Sequence, residues 1–115
     1  MIGRHTDELA KYWQSRFDVL TERWPRISKR IRSMLTKSNR LAKDGKPKEA
    51  LNVAIEAKKL FEEYRGEVTE TVTELARHKG STIREIMKNR GVDHYLSALE
   101  EDLDLFEKAL REGNY

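Results

Sequence analysis

A chain of 115 residues, 37% apolar and 37% charged at a net charge of +3, has room for one modest core and is too regularly apolar to be a disordered segment. Without a cysteine it holds no disulfide, no thiolate nucleophile and no cysteine-ligated zinc or iron–sulfur centre. No apolar run approaches the roughly 18 residues of a membrane span, and Met1–Glu8 has no hydrophobic signal core, so a cytoplasmic protein with no membrane partner is expected.

Thr6, followed by Asp7 and Glu8, has the form of a helix start, a capping hydroxyl with acids in the first turn. Leu9, Trp13, Phe17, Leu20 and Trp24 then recur at spacings of 4, 4, 3 and 4, one face of a helix over 7–24. Pro25 has no amide proton and disfavours the helical region for Trp24, yet suits a first helical turn. The pattern therefore predicts a break there and a second helix over 25–43, with Ile27, Ile31, Met34, Leu35, Leu41 and Ala42 as its stripe. Asp44-Gly45-Lys46-Pro47 reads as a stop and restart, glycine for a left-handed cap and proline for the next first turn.

A third helix over 47–78 carries Ala50, Val53, Ala57, Leu60, Tyr64, Val68, Val72 and Leu75. Its rhythm keeps phase through Gly66, where glycine costs about 1 kcal/mol relative to alanine without abolishing a helix. Lys79-Gly80-Ser81 ends it. Ser81 can cap a short helix over 82–90 carrying Ile83, Ile86 and Met87, which Gly91 terminates. Asp93 can cap the last helix, 93–112. There Val92, Leu96, Leu99, Leu103, Phe106 and Leu110 fall at spacings of 4, 3, 4, 3 and 4, a heptad seam. The expected fold is all-α: a single domain over 1–115, a small helical bundle of four main helices plus one short one.

Charge is unevenly distributed. Residues 1–47 hold 12 Lys and Arg against 5 Asp and Glu, a net of +7, and residues 48–115 hold 11 against 15, a net of −4. Either the basic half meets an outside polyanion or acidic partner, or it lies against the acidic half of the same fold. Arg23, Arg26, Lys29, Arg30, Arg32, Lys37, Arg40 and Lys43 make the predicted second helix basic. At 100° per residue Arg26, Arg30, Lys37 and Arg40 share one face, and with Arg23, Lys29 and Lys43 they form the candidate nucleic-acid-binding set, able to neutralise several phosphates. Ser33, Ser38 and Asn39 add small hydrogen-bonding groups. No aromatic is interleaved on that basic side to stack a base, and Trp24 falls on the apolar stripe. Trp13, Phe17 and Trp24 are the candidate partner-interface residues, large aromatics that either the chain itself or a second chain covers.

Lys43-Asp44-Gly45-Lys46-Pro47 and the following residues to Leu60 resemble the turn and second helix of a tetratricopeptide repeat, with Gly45, Ala50 and Ala57 where that family places its turn glycine and two small packing residues. The stretch is similar also to the helical hairpin of microtubule-interacting-and-trafficking domains. The resemblance implies a groove for a partner peptide. With no second copy of the repeat, where such folds need about three, it reads as shared αα-hairpin physics.

Other motifs carry less. Ser81 to Asp93 has the outline of a helix-turn-helix, but the helix after it turns acidic at Glu100-Glu101-Asp102, which phosphate repels, so an ordinary αα-corner is expected. Glu70, Glu74 and His78 stand at i, i+4 and i+8 on one face, whereas a metal site takes three or four converging ligands. His5 and His94 have no evident partner, and no Gly-rich phosphate loop occurs. No catalytic residue, metal, cofactor or small-molecule substrate is assigned. The chain is read as a non-enzymatic helical interaction module, a subunit or adaptor of a larger assembly. Its expected partners are a protein or a second copy of itself, with nucleic acid as a further partner of the basic second helix. Two other readings stay open: a dedicated DNA- or RNA-binding small subunit of a nucleoprotein complex, and a phage- or plasmid-type inhibitor or immunity protein that blocks a surface.

Overall fold

Pro25 does not break the first helix. In a computed structural model, which describes the backbone of residues 2–114 and the side chains of residues 8–114 except Asn89, helix α1 runs uninterrupted over Ile2–Lys43 with Pro25 inside it. It is followed by α2 (Pro47–Lys79), α3 (Ile83–Asn89) and α4 (Val92–Glu112), and no strand occurs among the described residues. The all-α class stands. The expected pair of helices over 7–24 and 25–43 is corrected to one, leaving three long helices and a short one.

The reason lies in phase and burial. Phe17, Leu20, Trp24, Ile27, Ile31, Leu35, Ser38 and Ala42 keep helical spacing across the proline, so one continuous helix presents all of them to α2. A proline inside a helix costs about 3 kcal/mol. Burying an isoleucine or leucine side chain returns about 1.5–3 kcal/mol, and Ile27, Ile31 and Leu35 would all lose their registry if the helix stopped at Trp24. Packing therefore outweighs local propensity. Pro25 supplies no N–H to the carbonyl of Thr21, four residues back, and its own ring is exposed. One residue earlier, the Leu20 carbonyl accepts a hydrogen bond from the Tyr64 hydroxyl of α2 at 2.6 Å, which ties the weakened turn to its neighbour.

α1 and α2 form a long antiparallel hairpin, as cross-links from Ser38–Ala50 through Leu20–Tyr64 to Gln14–Lys79 show. The turn is the expected one: Gly45 takes φ +79°, in the left-handed region that only glycine enters readily, and Pro47 opens α2. The small residues Ala50, Ala54 and Ala57 are buried along the hairpin. α2 continues through Gly66 without interruption. α4 then runs back antiparallel to α2, with Glu107 against Lys58 and Glu100 against Arg65. Its heptad seam turns inward: Val92, Leu96, Leu99, Leu103 and Leu110 are buried and Phe106 is half-buried. The core is one string of side chains along the three helices, with a small second cluster of Ala42, Ala50, Ala54 and Leu110 at the hairpin end. At 1.5 Å per residue α1 is about 63 Å long, and it sets the longest dimension of a rod measuring 64 × 19 × 17 Å.

Three helix starts differ from expectation. α1 begins at Ile2, ahead of Thr6; the side chains of His5, Thr6 and Asp7 lie outside the described residues. Thr82, not Ser81, caps α3, its Oγ1 accepting from the Glu85 amide at 3.2 Å. α4 starts at Val92 behind Gly91, at φ +66°, so Asp93 is a first-turn acid at the positive end of the helix instead of its cap.

Around Pro25 three aromatics from three helices meet. Trp24 stacks on Tyr95 of α4 at 4.3 Å and lies 5.6 Å from the Tyr64 ring. Burial raises the pKa of both phenols, so both stay protonated far above neutral pH. Tyr64 has its carbonyl acceptor, whereas the Tyr95 hydroxyl is enclosed with no hydrogen-bond partner among the described residues. Opposite outcomes follow for the same atom change. Tyr64→Phe loses about 1 kcal/mol in urea denaturation, and Tyr95→Phe is neutral or stabilising; equal losses from both would contradict this geometry. Pro25→Ala restores the missing amide and gains about 1–3 kcal/mol. A variant no more stable than the parent would show that the proline is not strained in α1.

Candidate nucleic-acid interface

From Arg23 to Lys43, α1 carries eight cations and no carboxylate. At 1.5 Å per residue they cover about 30 Å of helix, and all eight are exposed. Arg26, Arg30, Lys37 and Arg40 fall within an arc of about 80° and Lys29 and Lys43 on its flank. The core-facing arc on the other side holds Ile27, Ile31 and Ser38, so the charged arc is the side of α1 turned away from α2.

Only two of the eight are tied to the chain's own acids among the described residues. Arg23 lies 3.9 Å from Glu67 of α2, and Arg32 lies 3.5 Å from Asp102 of α4. Arg26, Lys29, Arg30, Lys37, Arg40 and Lys43 have no carboxylate within 4 Å among the described residues. Three carboxylates of α4, Glu100, Asp104 and Glu107, pair with α2. Glu100 pairs with Arg65 of α2 at 2.6 Å. Lys58 of α2 sits between Asp104, at 3.2 Å, and Glu107, at 3.1 Å, and Glu107 also accepts from Arg111 at 2.9 Å. Hydrogen bonds from Arg111 and then Lys58 hold the Glu107 carboxyl below its ordinary pKa, and the bonds to Glu107 and Asp104 hold the Lys58 ammonium above its own. Two cations of α2 thus take up three of the seven carboxylates of α4, Asp102 meets Arg32, and the six other cations of this α1 stretch stay open to solvent.

Of the small polar groups expected beside these cations, Ser33 is exposed on the charged arc. Ser38 is not on that side: it is fully buried and donates to the Ala50 carbonyl across the hairpin. Asn39 is half-buried.

The aromatics of the expected partner interface are largely used within the chain. Phe17, at 1% exposure, is covered by the chain itself as part of the core, and Trp24 is half-buried under Tyr95 and Tyr64. Trp13 is half-buried against the core, with the Arg16 guanidinium 5.9 Å from its ring centroid. The exposed Phe, Tyr or Trp among the described residues is its neighbour Tyr12, at 52%, set edge-on to Trp13 at 5.0 Å. Tyr12 and Val19, 45% exposed, lie on the same meridian of α1 as Arg26 and Lys37. The sequence reading missed both because it ended the helix at Trp24. Carrying the 100° phase through Pro25 would have found them.

Elsewhere, Glu74 and His78 stand 3.8 Å apart at i, i+4, and no group of three or more His, Asp or Glu converges on a metal-sized point among the described residues. No described helix is long and apolar enough to cross a membrane. No protein-family model matches the chain, and no curated protein or solved structure is significantly similar to it.

The α2–α4 ion pairs give a pH signature. Glu107 has a lowered pKa in the fold, so its contribution is present above the ordinary carboxyl value of 4.5 and is lost as the pH falls into the acid range below it. Glu107→Gln therefore costs up to about 1 kcal/mol at neutral pH. That difference shrinks toward zero in denaturation series taken down through the acid range. A deficit that stays constant with pH would assign the loss to packing instead of charge.

Proposed function

We infer that this chain is a non-enzymatic helical interaction module of a larger assembly that contacts nucleic acid through the basic face of α1. The observation that carries the reading is the set of six exposed cations, Arg26, Lys29, Arg30, Lys37, Arg40 and Lys43, without a carboxylate partner among the described residues. A duplex carries one charge per about 1.7 Å, and neutralising phosphates releases counterions, which supplies most sequence-independent affinity. The six cations follow one another over about 26 Å of helix. Non-specific attachment by charge suits a module that is positioned by its assembly.

A protein contact is supported by a different surface. On α4, Leu105 is 59% exposed beside Ser97, Glu101, Asp104 and Lys108, an apolar residue in an acidic surround that fits a basic partner with a small apolar knob. The two surfaces are on different helices, so one chain can hold both partners.

With six phosphates neutralised, the logarithm of affinity falls against the logarithm of salt concentration with a slope of about −4 to −5. Replacing Arg26, Arg30, Lys37 and Arg40 together by Gln removes about 3 from that slope and weakens binding at least 100-fold at low salt, with helix content unchanged by circular dichroism. Unaltered affinity in the quadruple variant would exclude this face as the contact.

A further inference from the structure

We propose that the polyanion is single-stranded, and that one of its unpaired bases stacks on Tyr12 at the far end of the α1 face. This rests on the preceding reading of the basic face and goes further by naming the strand state of the ligand and the residue that recognises it. Tyr12 lies 14 residues before Arg26, about 21 Å along the same meridian. Its ring is half-exposed and braced edge-on by Trp13, which is itself packed on the core and so holds the tyrosine in place. Beside it is a shallow groove of about 280 Å³ lined by Ser15, Arg16, Val19, Arg23 and Glu67. That size is at the small end for ligand clefts, which begin near 300 Å³; it suits one planar ring. Val19 supplies an apolar contact, Ser15 and Arg16 offer donors to a base edge or a phosphate, and Glu67 is held by Arg23 at 3.9 Å.

The arrangement of a cationic track that follows a backbone and ends on an aromatic platform is what strand binders without sequence preference use. A duplex keeps its base faces stacked inside, so it can use the cations but not Tyr12. Glu22, exposed on the same side between Val19 and Arg26, interrupts the track, and Glu22→Gln should tighten binding of either ligand.

The test uses the full chain with a fluorescent deoxythymidine strand of about 20 nucleotides, a uridine strand of the same length and a mixed-sequence duplex of that length, titrated at one low and one moderate salt concentration. The expected result is that at least one single strand binds more tightly than the duplex. Tyr12→Ala then weakens that strand about 10-fold and leaves the duplex unchanged, and Tyr12→Phe, which keeps the ring face, restores wild-type binding. Duplex binding as tight as the strands, or Tyr12→Ala indistinguishable from the parent, overturns the stacking proposal and leaves the basic-face reading standing. Binding of none of the three overturns both.

Discussion

The structure depends on α1 passing through Pro25 as a single helix. Nothing local favours it, since the proline removes one hydrogen bond and crowds the preceding turn. What holds it is the surface of α2 and α4 beneath. The Tyr64 hydroxyl takes the Leu20 carbonyl, Trp24 stacks on Tyr95, and the apolar residues on both sides of the proline share one phase against α2. Because the axis continues, the cations after Pro25 and the side chains before it lie on one ruled line. A break at Trp24 would have given two shorter helices at an angle; the 64 Å rod would not exist, and Tyr12 and Val19 would leave the line of the cations.

Most of the fold was legible in the sequence, and the error has a physical source. The stripe of α2, its passage through Gly66, the Gly45–Pro47 turn and the α4 seam are set by spacing and by glycine and proline chemistry, which act locally. The failure at Pro25 arose where a local preference of about 3 kcal/mol met a tertiary one of comparable size. Single-sequence spacing does contain the answer, because Trp24, Ile27 and Ile31 never lose phase, but only burial weights it. The helix starts at Ile2, Ile83 and Val92 lie one to five residues from the expected ones, a scale at which several neighbouring residues can serve as caps.

The candidate site was legible as a list of cations and not as a surface. Sequence could not say whether the acids of α4 reach the bases of α1, because that depends on which helix lies between them. The rod answers it. α4 runs antiparallel to α2, and this register places Lys58 and Arg65 under Asp104, Glu107 and Glu100, so three of the α4 acids find their counter-charges on α2 and not on α1. Arg32 is the one α1 cation joined to α4 among the described residues. The same misplaced break hid Tyr12 and Val19, which belong to the charged meridian only in a continuous helix.

A row of like charges of which only Arg23 and Arg32 are paired among the described residues is also a statement about what shaped this helix. Between Arg23 and Lys43 six pairs of cations stand three or four residues apart, from Arg23–Arg26 to Arg40–Lys43, with no carboxylate among them. Like charges at these spacings each cost a few tenths of a kcal/mol, on the order of 1–3 kcal/mol together at low salt. A helix selected for stability alone would interleave glutamates, as the outer side of α2 does with Glu56, Glu62, Glu63 and Glu70 near Lys59 and Arg65. Departures from local consistency that no intrachain contact compensates are expected where a surface serves a partner. In the proposed complex the repulsion stored along α1 is relieved as phosphates replace the missing carboxylates, so on that reading the feature that weakens the isolated fold is the one that strengthens binding.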